Sequence, residues 1–372
     1  MSKLKVVTIV GTRPEIIRLS RLIPKLDEFT DHILVHTGQN YDRQLNEVFF
    51  EDLELRRPDY YLNVDTSSLA SVMSDTLRKT EEVLLKERPA AVMILGDTNS
   101  AVASIIAERM QIPVYHMEAG NRSFDSNVPE ELNRRMIDHV ATFNLPYTEV
   151  ARQNLLREGI ESRFVFKTGT PLREVYKKFE SQIARSNILA ELELEPQNYF
   201  LASLHRQENI DSRVRLKQMF EAITATSEKY KKPTIVSAHP RLLRRISEFE
   251  INVPESIRIC NPFGYHDYNH LQKNAYCVIS DSGSVAEEAA AMDFAAVSFR
   301  DSIERPEAIE EGTVVLASTS ERGLLDAVEY AVAETNFKGV PADYQIENFS
   351  DRVLGILFST VGQYRFWKNK TE

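Results

Sequence analysis

Cysteine is scarce: Cys260 and Cys277 are the two in 372 residues, their spacing matches no metal-ligand pattern, and no disulfide framework can be built from them. That usage suits a reducing compartment, so a cytoplasmic location is expected. Long hydrophobic runs are missing too. No stretch approaches the ~18 apolar residues of a membrane-spanning helix. The apolar run in MSKLKVVTIVGTRPE, Val6 to Val10, is too short for a signal peptide. No insertion into a membrane is therefore expected. Positive charge is not in excess: 45 Lys and Arg against 55 Asp and Glu leave −10, which argues against a broad nucleic-acid-binding surface. An anionic ligand would need locally gathered arginines. Neither a GxGxxG nor a Walker loop is present, which weakens nicotinamide and ATP readings.

What is present is ordinary globular sequence, 42% hydrophobic and 27% charged, at a length that suits two domains of ~150–190 residues each. Short β-branched runs alternate with amphipathic stretches. Lys5–Val10, Ile33–His36, Ala91–Leu95, Val114–Met117 and Phe143–Pro146 read as strands, with helices over Pro14–Phe29, Leu69–Glu87, Ala101–Met110 and Pro129–Ala141. A second series of strands runs through Tyr199–Ser203, Thr234–Ala238, Ile257–Cys260, Cys277–Ser280, Ala296–Phe299 and Thr313–Leu316. This alternation predicts parallel βαβ units: an α/β protein of two Rossmann-like, doubly wound domains whose strand-end loops face a cleft. The polar stretch around 170–195 is where the chain is expected to cross from one domain to the other.

Five motifs stand at predicted strand ends. Gly11-Thr12-Arg13-Pro14-Glu15 offers a tight turn, a helix start and a bidentate anion donor in Arg13; an ordinary strand–helix turn would look similar. In Gly96-Asp97-Thr98-Asn99, Asp97 is either a helix cap or a carboxylate placed for proton transfer. HMEAGNRSFDSNVPEELNRR places Glu118 in a Gly-bearing turn and Glu130 and Glu131 in the first turn of a helix, where one of the pair serves the dipole. Crowded carboxylates raise one another's pKa and divide into acid and base. Ser203-Leu204-His205-Arg206 puts a histidine beside an arginine where a phosphate would sit, whereas His239 and His266 read as loop or packing residues. Asp281-Ser282-Gly283-Ser284-Val285-Ala286-Glu287-Glu288 has the hydroxyls and free N–H groups of a phosphate cradle, with Glu288 one turn on, in reach of a ribose. Downstream, Arg300 to Glu307 forms another charged loop.

Taken in order, GTRPE, GDTNS, HMEAGNR…PEELNR, LHRQEN, SDSGSVAEEA and ERPEAIEEGT span residues 11–313. They resemble the non-hydrolysing UDP-N-acetylglucosamine 2-epimerase family. The resemblance implies the two-Rossmann architecture of GT-B glycosyltransferases, divided 1–172 and 173–355, with a C-terminal helix over 356–372 crossing back and ending within Tyr364–Lys370. It implies elimination of UDP from C1 as a proton leaves C2, through a 2-acetamidoglycal, in the service of surface polysaccharide such as capsule or O-antigen. The residues carried over are Asp97, Glu118 and Glu130 as acid–base groups, with His205 and Arg13 at the departing phosphate. Arg18, Ser282, Gly283, Ser284, Glu288 and Arg305 are carried over as substrate-binding, and Glu131 as a structural neighbour. No metal or nicotinamide cofactor is expected. A UDP-sugar is the expected partner, and a homodimer the expected assembly.

The chain departs from that pattern in places. Relatives specific for UDP-GlcNAc usually carry lysine where this chain has Arg18 and a second glycine at Ser284, and HTGQNYD lacks the QHR pattern used to bind an activating second UDP-GlcNAc. These stretches are closer to the branch that epimerises UDP-2-acetamido-2,6-dideoxy-L-talose toward UDP-N-acetyl-L-fucosamine. A hydrolysing 2-epimerase and a retaining GT-B glycosyltransferase are the alternatives.

Overall fold

The computed structural model describes residues 3–38, 43–125, 128–333 and 339–368. It divides into two compact units, one of residues 1–175 with 346–372 and the other of residues 176–345. In the first unit the strands are β1 (Lys5–Val10), β2 (Asp31–His36), β3 (Tyr60–Tyr61), β4 (Ala91–Leu95), β5 (Val114–Met117) and β6 (Phe143–Leu145). They form one parallel sheet in the order β3-β2-β1-β4-β5-β6. The second unit repeats the pattern with β7 (Phe200–Ser203), β8 (Thr234–Ser237), β9 (Ile257–Cys260), β10 (Cys277–Ser280), β11 (Ala296–Phe299) and β12 (Val315–Ala317). Its order, β12-β11-β10-β7-β8-β9, is again parallel throughout.

Helices cover both faces of each sheet, so the strands are apolar along their length rather than alternating. Residues 91–95 and 277–280 are buried without a break. Val7, Ile9, Val92, Ile94 and Val114 centre one core; Phe200, Ala202, Val236, Ile279, Val297 and Phe299 centre the other. Full burial of each large aliphatic side chain stabilises by roughly 1.5–3 kcal/mol. Both expected cysteines are free thiols, Cys277 buried and Cys260 half-buried. Among the described residues no helix is long and apolar enough to cross a membrane, and no group of three or more His, Cys, Asp or Glu is placed to hold a metal.

Three local expectations need correction. The single helix over Pro14–Phe29 is two, Arg13–Leu19 and Leu22–Phe29. Pro24 explains the break: in a continuous helix its ring would clash with the carbonyl of Ser20, four residues back. The helix over Ala101–Met110 opens earlier, as one tight turn at Asn99–Val102 capped by the Thr98 hydroxyl, before Ala103–Arg109. Strand β3 is an addition, two residues at a sheet edge, too short to carry a period. The final segment holds helices Phe349–Thr360 and Tyr364–Trp367, both in the first unit; Asn369 and Lys370 lie outside the described residues.

In both sheets the order of the strands reverses at an inner pair, β1/β4 in the first unit and β7/β10 in the second. Ligands of open parallel sheets bind outside the carboxyl ends at such a switch point. The motifs after β1, β4, β7 and β10 flank these points.

Candidate active site

In the first unit the loop after β1 packs tightly. A Cβ on Gly11 would lie 1.9 Å from Ser100 Oγ and 2.3 Å from Thr37 Oγ1, and those two hydroxyls are themselves bonded at 2.8 Å. Close approach, rather than the turn expected above, is what requires glycine here. Thr12 caps the helix that follows, with Pro14 in its second position rather than its first. Arg13 lies over the Phe49 ring at 5.4 Å.

Glu15 carried no expectation, yet it ties this loop to the next. It accepts the N–H of Gly11 at 2.5 Å and of Thr12 at 3.2 Å, and the Thr98 hydroxyl at 2.6 Å. Burial outweighs these bonds and pushes its pKa up to about 7. A carboxyl raised in the folded state contributes stability that is present below pH 4.5 and lost as pH rises through 7. Relative to Glu15→Gln, the native chain should lose about 3 kcal/mol between pH 4 and pH 8. Denaturant unfolding of both proteins across that range checks this; a native chain that instead gains stability relative to Glu15→Gln as pH rises would show that the three donors win.

Asp97 stands just past β4. Its Oδ2 accepts Arg134 Nη2, and its backbone carbonyl accepts Asn133 Nδ2 at 3.1 Å. Glu118 stands just past β5 with φ +65°, a left-handed conformation that costs a non-glycine residue roughly 1–2 kcal/mol. Its buried carboxylate lies 3.5 Å from Arg18 Nε and 3.5 Å from Asn121 Nδ2. A Cβ built on Gly96 would be 3.9 Å from Glu118 Oε2, so the carboxylate rests against the loop that carries Asp97. Beneath both loops runs a buried network. His116 gives Nε2–H to the Gly96 carbonyl (2.8 Å) and lies 2.9 Å from Asp138, which also meets Arg122 (2.7 Å) and the Gly120 N–H (3.1 Å).

Glu130 and Glu131 separate clearly. Glu131 is buried and accepts Ser123 N (2.9 Å), Ser123 Oγ (3.1 Å), Arg134 Nη1 (3.3 Å) and Arg135 Nε (3.0 Å). Burial pulls its pKa up, but these donors hold it below the usual carboxylate range. Glu130, half-buried in the helix's first turn, makes no hydrogen bond or ion pair with the described residues. The helix therefore braces Asp97 through Arg134 and leaves Glu130 available. Of HTGQNYD, residues 39–42 lie outside the described residues.

In the second unit, His205 and Arg206 follow the end of β7 and Asp281 follows the end of β10. Ser282, Gly283 and Ser284 turn into helix Val285–Met292, with Ser282 Oγ accepting Ser284 N at 3.2 Å. Ser284 Oγ donates to Glu288 Oε1 (2.7 Å), while Gln272 Nε2 donates to Glu288 Oε2 (2.6 Å). Glu288 is thus held by two neighbours and keeps a spare lone pair on each oxygen.

Arginines stand behind the turn, Arg300 and Arg305 buried and Arg206 half-buried. Arg305 bonds Glu287 at 2.8 Å, and Arg206 and Arg300 both bond Glu304, at 3.1 and 2.8 Å. A Cβ on Gly283 would lie 2.8 Å from Arg305 Nη1 and 3.5 Å from Arg206 Nη2, so the absent side chain admits the guanidinium to the turn. Gly283→Ala should displace Arg305 and, on the expectation that this turn cradles a phosphate, weaken UDP binding by on the order of tenfold, the loss of one charge-assisted contact; calorimetry showing native affinity would contradict that expectation. His239 caps helix Pro240–Glu248, and the His266 ring packs on Phe179 and Tyr265, as loop and packing residues.

Sequence reasoning gave no role to Glu15, Arg134, Asp138 or Asp281. A faint signal existed for Asp281: a charged residue continuing the apolar strand Cys277–Ser280 without an intervening turn.

The family model described as UDP-N-acetylglucosamine 2-epimerase matches residues 25–358. The chain is 39% identical over 339 residues to the UDP-N-acetylglucosamine 2-epimerase of Methanocaldococcus jannaschii, covering 88% of this chain and 92% of that one. Its structure superposes on the UDP-N-acetylglucosamine 2-epimerase of Rickettsia bellii with TM-score 0.89 and 39% identity, over 98% of each chain. The structure of the Methanocaldococcus jannaschii UDP-GlcNAc 2-epimerase in complex with UDP-GlcNAc and UDP gives TM-score 0.90 at 36% identity, covering 96% of this chain and all of that one. A match of this extent, over a fold whose strand-end loops carry the motifs, settles the kinship: the chain belongs to the UDP-N-acetylglucosamine 2-epimerase family, a family of isomerases.

Proposed function

We propose that the protein is a non-hydrolysing UDP-N-acetylhexosamine 2-epimerase that inverts C2 by eliminating UDP and adding it back. The observation that supports it is the Glu118 carboxylate, held in a left-handed turn after β5 and lying against Gly96, the residue before Asp97 at the end of the neighbouring strand β4. Inverting an unactivated C–H needs a base on one face and an acid on the other. Asp97, Glu118 and Glu130 are assigned these roles, with Arg18 beside Glu118 and Glu131 structural. His205 and Arg13 assist the departing phosphate. Ser282, Gly283 and Ser284, backed by Arg305, hold the diphosphate, and Glu288 holds the ribose. In the forward step the C1–O pair leaves with UDP, the C2 proton passes to a carboxylate, and a C1=C2 double bond forms. Reversal with the proton returned to the opposite face gives the epimer.

Proton NMR in D2O tests this: UDP-GlcNAc should equilibrate with its C2 epimer and acquire deuterium at C2. Release of UDP with free N-acetylmannosamine would assign the hydrolysing reaction instead, and turnover only with an acceptor a glycosyltransferase.

The finer reading is that the preferred sugar is UDP-2-acetamido-2,6-dideoxy-L-talose, supported by Arg18, Ser284 and HTGQNYD. Arginine presents a planar fork where lysine presents a point charge, which changes the contacts beside Glu118. A higher kcat/KM for UDP-GlcNAc than for the 6-deoxy-L-sugar, or strict activation of UDP-ManNAc turnover by trace UDP-GlcNAc, would overturn it.

A further inference from the structure

The second unit contains a buried carboxylate that the reaction above does not use. Asp281 is fully buried, yet four donors converge on it from the loop after β7. His205 N–H lies at 3.0 and 3.2 Å from its two oxygens, Arg206 N–H at 3.1 Å and Asn209 Nδ2 at 3.0 Å. The fourth is the His205 ring, whose Nδ1 is 2.9 Å from Asp281 Oδ1. The other side of the ring is open: His205 is 47% exposed, and Nε2 has no partner among the described residues.

We propose that Asp281 is the positioning residue of His205, fixing the proton on Nδ1 so that Nε2 faces the ligand as the atom that gives and takes a proton. This rests on the proposed epimerase reading. A carboxylate accepts only, so a ring nitrogen 2.9 Å away is the protonated one, and in the neutral ring Nε2 is then bare. Free imidazole has no such constraint; the choice of tautomer is set by the bond the other nitrogen makes. Asp281 also holds the backbone of the same residue, so ring and main chain are oriented by one group. Burial pulls its pKa up, but the His205 charge, the ring N–H, Asn209 and the backbone donors together hold it below the usual carboxylate range, so it remains an acceptor.

The proton balance is simple. When the C1–O bond breaks, its electron pair goes to the β-phosphate oxygen of UDP. His205, protonated on both nitrogens, passes the Nε2 proton to that phosphate. The C2 proton goes separately to a carboxylate. In the return step the phosphate gives its proton back to Nε2 as C1–O re-forms. The carboxylate–imidazole pair does here what it does in other acid–base dyads, orienting the ring without itself taking up the proton.

Nitrogen-15 NMR of the histidine rings in the full chain, above the pH at which they lose their charge, reads the tautomer directly, with His205→Gln identifying the signal. The expected result is the Nδ1–H tautomer in the native protein and a shift to Nε2–H in Asp281→Asn; an Nε2–H tautomer in the native protein overturns the proposal. In turnover, Asp281→Asn should lower kcat by on the order of 10²-fold or more, leaving UDP affinity within about threefold and adding no further loss in the His205→Gln background. Asn209→Ala, which removes one loop bond to Asp281 and leaves the ring contact, should cost less than about threefold. If Asn209→Ala matches Asp281→Asn, the carboxylate only braces the loop and the positioning role falls. The tautomer result needs no substrate, so it stands or falls apart from the epimerase reading, which the deuterium exchange above tests.

Discussion

Replacing Glu118 by glutamine is expected to lower kcat by on the order of 10²- to 10⁴-fold, the range lost with a general acid or base, while UDP affinity stays nearly native. The amide preserves size and the contact with Asn121, so the loop should keep its path. What disappears is the group able to hold a proton beside Gly96, together with the charge facing Arg18. Glu130→Gln should fall in the same range, because no described residue occupies its carboxylate. Glu131→Gln should be milder in turnover, since four donors already assign that group to holding Ser123 and two arginines. Steady-state rates for the three variants, with UDP binding measured alongside, decide the ranking. Near-native turnover in Glu118→Gln would remove the carboxylate pair from the chemistry, and Glu131→Gln worse than Glu130→Gln would show that the wrong neighbour was chosen.

Stability gives the second large effect. Asp138→Ala is expected to cost about 3–5 kcal/mol, the usual result of removing one member of a buried charged cluster. Asp138 and the two partners it touches, His116 and Arg122, have side chains with no solvent exposure. Burial alone would lower the Arg122 pKa, but Glu158 and Asp138 together hold it above its ordinary range, and the alanine variant removes one of these two charges. For a unit of this size such a loss lowers Tm by on the order of 10 °C. Thermal unfolding followed by circular dichroism measures it, and a change below about 1 kcal/mol would show that water or rearrangement replaces the carboxylate. Activity should decline at lower temperature still, because the same cluster secures Gly96 and Gly120, which frame Asp97 and Glu118.

Strand positions were legible in the sequence because these strands are buried on both faces. An unbroken apolar run such as Ala91–Leu95 or Cys277–Ser280 ends where a polar loop begins, and the structure keeps those boundaries. Pro24 was visible, but the single helix expected over Pro14–Phe29 left out the clash its ring creates with Ser20. Tyr60–Tyr61 had no pattern to read. Residues placed by strand ends, such as Asp97, Glu118, His205 and Ser282, were equally accessible, since the fold puts them just past the carboxyl ends of strands. Their supporting partners were not. Asp281 reaches the His205 backbone across 76 residues, and Tyr115 OH reaches Thr360 Oγ1 across 245. No local period encodes a hydrogen bond between groups so far apart.

That long reach has a consequence for how the protein is made. The second unit is continuous in sequence, so its core can close as a ribosome delivers it. The first unit is not: Trp367 meets Phe143 and Phe164 edge-on, and Lys25 pairs with Asp351, contacts that form only once residues 346–367 have been made. Closing so large a loop adds little entropy cost beyond that of a shorter one, since the cost grows only logarithmically with length. The delay is in time rather than free energy. The unit translated first should therefore be completed after the second, its β6 side waiting on helices Phe349–Thr360 and Tyr364–Trp367 while residues 176–345 are already folded.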